Sequence, residues 1–143
     1  RSRGLGDVYK RQPYSIRPFQ HVLEPLSAYL RIAEQQTQSP GKQGYYNVGP
    51  EEKDCITTGE LTELFCDAWQ EGLTWKNVCV DGPHEAAFLK LDCSLIKNKL
   101  GWKPQWDIQT AIEKTVEWTR VYQNQGNIRD CMETQITEFI TKE

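Results

Sequence analysis

The sequence predicts an α/β chain that is mostly helical, with a few short strands and too few of them for a complete doubly wound sheet. Three observations carry this expectation. Four or five stretches repeat apolar residues at helical spacing, and short runs of β-type residues lie between them, bounded by turn formers. The length of 143 residues, 38% of them hydrophobic, suits one compact core. The pattern reads as part of a larger fold.

Composition narrows the function classes. Mean hydropathy is -0.68 and no apolar run approaches the ~20 residues that span a bilayer, which excludes a chain crossing the membrane as a helix. Residues 1–12 offer only Leu5, Val8 and Tyr9 among charges and glycines, so no secretory h-region stands there and a cytoplasmic location is expected. This segment has no apolar period, holds four basic residues and one acid, and resembles translated adaptor or vector sequence. It is expected to be disordered and is set apart from the folded domain, residues 13–143. The rest carries 13 Lys and Arg against 19 Asp and Glu, the wrong sign for a nucleic-acid partner. Cys55, Cys66, Cys79, Cys93 and Cys131 form no CxxC pair, and His21 and His84 stand far apart. No metal ligand set is read from them, and the expectation is reduced, mostly buried thiols.

Taken in order, residues 19–22 are expected to be a short extended piece. Glu24 then opens a helix with Pro25 at the first helical position, where a missing N–H costs nothing. Leu26, Tyr29, Leu30 and Ala33 give that helix an apolar face, and the polar run 35–43, with Pro40 and Gly41, ends it. Residues 45–48 read as a β-type segment that needs neighbours. Thr57 and Glu60 stand at capping-box spacing, with Ile56 and Leu61 as the hydrophobic staple. Leu61, Leu64, Phe65, Ala68 and Trp69 form the next stripe, and Gly72 is expected to supply a left-handed cap. Residues 75–80 and 86–91 read as further strands around the turn Asp81-Gly82-Pro83. Asp92 caps a short helix that Gly101 ends. Asp107 caps another, with Ile108, Ala111, Ile112, Thr115, Trp118 and Tyr122 on one face. A last helical pattern runs Ile128, Cys131, Met132, Ile136, Phe139, Ile140.

Polar clusters are few. Arg17 lies beside Gln20 and His21, and a guanidinium fork suits a phosphate, although from composition alone a surface ion pair is the commoner explanation. His84 and Glu85 follow the Gly82-Pro83 turn, but adjacent residues on an extended chain point opposite ways. No Ser-His-Asp set, phosphate loop or HExxH motif is present. The glycines of Gly4-Leu5-Gly6 follow no apolar strand, and the third position of a dinucleotide loop is Tyr9.

Several stretches, however, occur in a familiar order. Arg17-Pro18-Phe19-Gln20-His21-Val22-Leu23-Glu24-Pro25-Leu26, Tyr46-Asn47-Val48-Gly49-Pro50, Gly82-Pro83-His84-Glu85-Ala86, Leu89-Lys90-Leu91-Asp92-Cys93-Ser94, Leu100-Gly101-Trp102-Lys103-Pro104 and Thr115-Val116-Glu117-Trp118 resemble the C-terminal, substrate-binding part of the extended short-chain dehydrogenase/reductase family of sugar-nucleotide enzymes. The resemblance runs from Pro13 to the end. Pro18, where other branches commonly have an acidic residue, is similar to the branch acting on CDP-glucose. What the resemblance implies is an α/β, Rossmann-type parent enzyme, a lyase that recycles NAD, takes a CDP-sugar substrate, assembles as a homo-oligomer and feeds deoxysugar and polysaccharide synthesis. It places Arg17 against the nucleotide diphosphate, Gln20 and His21 as positioning residues, and His84 and Glu85 on the ribose or sugar side.

The family's catalytic pair is a Tyr with a Lys four residues on. Tyr9, Tyr14, Tyr29, Tyr45, Tyr46 and Tyr122 are followed at that distance by Pro13, Pro18, Ala33, Gly49, Pro50 and Gly126. The expectation is therefore no catalytic residue in this chain, NAD bound mainly elsewhere, and no turnover by the chain alone. Two alternatives remain: a non-catalytic nucleotide-sugar-binding or interaction module, and a piece of another epimerase or dehydratase of the same family.

Overall fold

The computed structural model describes residues 13–77 and 88–141. Its elements run β1 (Ile16–Arg17), α1 (Leu23–Gln38), β2 (Ile56–Thr57), α2 (Thr58–Trp69), α3 (Ser94–Leu100), α4 (Ile108–Gln123) and α5 (Ile128–Thr141), with 3-10 turns at Pro40–Lys42 and Glu52–Asp54. The strands pair antiparallel, Ile16 opposite Thr57 and Arg17 opposite Ile56. On its other side Ile16 makes a parallel bridge to Phe88, and Leu89 N–H donates to Ile16 O at 3.1 Å.

Local chemistry sets the helix ends. Thr57 Oγ1 accepts from Glu60 N–H at 3.1 Å while Glu60 Oε2 accepts from Thr57 N–H at 2.7 Å, the reciprocal capping box expected from the sequence. Asp107 Oδ1 accepts from Thr110 N–H at 2.9 Å and starts α4. Asp92 Oδ1 takes Ser94 N–H at 2.9 Å, one residue ahead of the cap position, which Cys93 occupies. Gly101, at φ 66°, ends α3 in the left-handed region, as its lack of a Cβ allows.

Other expectations are corrected. The extended pairing near the start lies at Ile16–Arg17, not at residues 19–22, because β2 offers its edge there. Residues 45–48 form no strand, nor do the described parts of the 75–80 and 86–91 runs. Residues 75–77 and 89–91 belong to no strand, and residues 78–87 lie outside the described residues. Helix α1 begins two residues before Pro25, which is its third residue. Helix α2 ends at Trp69, so Gln70, Glu71 and Gly72 all take positive φ, and the cap falls on Gln70 rather than Gly72.

The core lies between α1 and α3, where Ala28, Cys93, Ile96, Leu100 and Trp102 are buried and Ile32, Tyr46 and Val48 pack against them. The Trp102 indole N–H donates to Ser27 Oγ at 2.9 Å, so its burial leaves no orphan donor. Helix α4 packs against α2 and α5, burying Ala111, Ile112 and Val116. The face expected on α1 is outward: Leu26, Tyr29 and Leu30 are 47%, 59% and 74% exposed, and Ala33 is exposed too. Glu24, Ala28 and Ile32 turn inward instead. On α5 the buried positions are Gln135 and Phe139, while Met132, Ile136 and Ile140 face out. On α4, Val116 is buried in place of the expected Thr115 and Tyr122.

Candidate functional site

The chain from β1 to the start of α1 carries three of the five residues singled out from sequence. Arg17 sits on β1, and its Nη1 donates to Ile16 O at 2.8 Å, which folds the guanidinium back over its own strand. Phe19 N–H donates to Arg17 O at 3.1 Å and bends the chain out of the strand. Gln20 follows, and its Nε2 reaches Val48 O at 3.4 Å. Its Oε1 is sealed from solvent with no hydrogen-bond donor among the described residues.

Val48 belongs to a stretch fixed from the other side. Asn47 Nδ2 donates to Asp92 O at 3.1 Å, and a Cβ on Gly49 would stand 3.3 Å from both Cys93 Sγ and Leu91 Cδ1. This is a close chain-to-chain approach that suits glycine. Residues 47–49 therefore lie against residues 91–93, while Phe88 and Leu89 lie against β1. Phe88 and Leu89 therefore stand beside the strand that carries Arg17. His84 and Glu85, the other two candidates, fall outside the described residues.

His21 departs from this group. Its ring packs on Trp106 with centroids 4.9 Å apart and a 60° tilt, and Trp106 in turn meets Phe139 edge-on at 5.0 Å. Leu23 N–H donates to His21 Nδ1 at 3.3 Å. Burial, and then the positive charge of Lys114, push the His21 pKa below its ordinary value of 6.5. With Nδ1 accepting, the neutral ring carries its proton on Nε2, which has no partner among the described residues. Lys114 is itself held charged: burial disfavours the ammonium, but ion pairs with Glu138 and Glu117 outweigh that and raise its pKa.

The ring of His21 lines a recess of about 250 Å³ with Val22, Leu23, Thr115, Trp118, Met132, Gln135 and Ile136, between the start of α1 and helices α4 and α5. Behind it the buried carboxylate of Glu24 accepts from Trp106 N–H at 2.7 Å and from Gln105 N–H at 3.1 Å. Sequence reading took Glu24 only as a helix opener and did not single out Gln135. A glutamate in a helix's first turn is common, and nothing in the sequence signals that this one faces inward.

Cys93 is buried and Cys55 half-buried, and burial raises the pKa of both. Cys66 and Cys131 are also half-buried free thiols. Among the described residues no three His, Cys, Asp or Glu gather where they would hold a metal ion, and no helix is long and apolar enough to cross a membrane. The described residues do not fit a dinucleotide either. β2 runs directly into α2 with no glycine-rich loop between them, and a Cβ on Gly59 would meet Pro13 O at 3.1 Å, so that glycine serves chain packing.

No protein-family model matches the chain. Over 135 residues, 94% of its length, it is 33% identical to a CDP-glucose 4,6-dehydratase of Salmonella typhimurium strain LT2. The chain is thus similar to the C-terminal part of that enzyme. It spans 38% of the length of this curated relative.

Proposed function

We propose that this chain forms the nucleotide-sugar-binding side of a CDP-glucose 4,6-dehydratase, an NAD-dependent lyase that converts CDP-glucose to CDP-4-keto-6-deoxyglucose and water. The observation that carries this reading is the 33% identity sustained over 94% of the chain. The motif stretches around Arg17, Asn47 and Gly101 agree with it. The described residues supply no dinucleotide loop, so NAD binding is assigned to a part of the enzyme that this chain does not carry.

In this reading Arg17 contacts the diphosphate. A guanidinium presents planar, charge-assisted paired hydrogen bonds, the strongest available to a pyrophosphate. Gln20 orients the segment through Val48, and its unmet Oε1 is suited to a ligand donor once the chain shifts to admit one. His84 and Glu85 are assigned to the ribose and sugar side. His21 positions the segment through its ring contact with Trp106 rather than by touching the diphosphate.

Calorimetric titration of the chain with CDP tests this. The expected result is saturable binding that Arg17→Ala weakens at least about tenfold, the loss of one strong charge-assisted contact, with no CDP-glucose turnover by the chain alone. CDP binding that Arg17→Ala leaves unchanged would overturn the assignment of Arg17. Turnover by the chain alone would overturn the division of labour.

A further inference from the structure

We infer that the recess between the start of α1 and helices α4 and α5 is a second binding site, separate from the proposed nucleotide-sugar side, for a neutral planar ring system. The ligand carries one hydrogen-bond acceptor for His21 Nε2–H and one donor for Gln135 Oε1. Its walls are apolar: Val22, Leu23, Trp118, Met132 and Ile136. A volume of about 250 Å³ lies below that of drug-sized pockets and suits one or two fused rings.

Two polar groups stand in this apolar setting with capacity unused. Gln135 is 4% exposed, and its Nε2 donates to Lys114 O at 2.9 Å and to Glu117 Oε2 at 3.1 Å, so the orientation of the amide is fixed. No described residue donates to its Oε1, and the residue lines the recess. His21 is oriented in the same way: Nδ1 is taken by Leu23 N–H and the ring is held on Trp106, leaving Nε2–H as a fixed donor. A donor and an acceptor, each held by its other end and lining one recess among apolar walls, select a ligand that offers one acceptor and one donor, as an amide does. Such groups give selectivity, because a ligand lacking a partner leaves a desolvated polar atom unpaired. Charge argues for a neutral ligand, since Lys114 is already paired with Glu117 and Glu138.

Met132 makes the test direct, as it is the chain's sole methionine and lines the recess. With 13C-methyl methionine, any initiator residue added for expression gives a distinct, mobile signal. The probe is isoquinolin-1(2H)-one, whose lactam places C=O and N–H on one edge; the control is its N-methyl derivative. The expected result is a saturable shift of the Met132 methyl resonance with sub-millimolar affinity, weakened about tenfold or more for the N-methyl control and in Gln135→Leu. Ile136→Arg, on the 40% exposed rim, blocks the shift without touching the core. Should Gln135→Leu fail to fold, the control probe and Ile136→Arg still decide. No saturable shift, or equal affinity for both probes, overturns the proposal. So does displacement of the probe by CDP, which would make the recess part of the nucleotide site. CDP that binds elsewhere, or does not bind at all, leaves the Met132 signal unmoved, so this site and the dehydratase reading stand or fall separately.

Discussion

Replacing Glu24 probes how a loop far away in sequence is held beside the start of α1. The carboxylate is 0% exposed, and its oxygens accept from Trp106 N–H at 2.7 Å and from Gln105 N–H at 3.1 and 3.2 Å. Alanine at this position leaves two backbone donors without their charged acceptor. Losing a hydrogen bond to a charged group costs about 1.5–3 kcal/mol, so the pair sums to roughly 3–6 kcal/mol. That is a large share of the ~5–15 kcal/mol that typically holds a domain together. Glutamine keeps one carbonyl oxygen where Oε1 serves both amides but puts an NH2 group in place of Oε2, so its cost is expected to be smaller, about 1–2 kcal/mol. Urea denaturation followed by tryptophan fluorescence reads both values, because Trp106 sits on the clamp. The expected order is parent, Glu24→Gln, Glu24→Ala, with the urea slope unchanged. A Glu24→Ala midpoint within about 1 kcal/mol of the parent would refute the clamp.

Further outcomes follow from other sites. Gln70 takes φ 61° and ψ -150°, a region nearly restricted to glycine, so Gln70→Gly is expected to stabilise by about 1 kcal/mol in the same urea assay. The His21 pKa lies below 6.5 in the folded chain, so the unfolded chain takes up the proton first. Its contribution is complete above about pH 6.5 and is lost progressively as pH falls from there through the lower pKa of the folded chain, so the stability slope below about pH 7 should flatten in His21→Phe. The carboxylates of Glu52, Glu60 and Asp92 have lowered pKa values, so they lose their contribution only in more acid solution, below their ordinary values of 4.5 and 3.8. Leu30 is 74% exposed, so Leu30→Glu should change stability by less than about 0.5 kcal/mol while reducing self-association in sedimentation runs.

What was legible in the sequence was local. The capping box at Thr57 and Glu60, the Asp107 cap and the Gly101 stop depend on residues within one turn of each other, and each stands where spacing placed it. The strands were not legible, because a two-residue strand such as Ile16–Arg17 exists only by virtue of its neighbours, Ile56–Thr57 and Phe88. For the candidate site, the sequence brought out Arg17 and Gln20 but gave no sign that His21 turns away to stack on Trp106, 85 residues on. Nor did it mark Glu24 or Gln135, whose roles depend on which side of a helix faces a neighbour.

Helix faces show why this boundary lies where it does. Periodicity reports that a stripe wants a partner, and it carries no information on whether the partner is in the same chain. On α1 the apolar stripe of Leu26, Tyr29, Leu30 and Ala33 is the more conspicuous one, yet the face the chain buries is built on Glu24, Ala28 and Ile32. The choice is physically consistent. Ala28 lets α1 come close to α3, and Glu24 brings a charge whose burial is compensated by the two amides of the 105–106 loop, so this face closes with the residues at hand. The larger apolar face needs a bulkier counterpart than any described element provides. A chain spanning 38% of its relative's length leaves ample sequence in that relative for such a counterpart. The same reasoning sets the His21 recess apart, because its walls come from the start of α1 and from α4 and α5 of this one chain and it carries its own oriented donor.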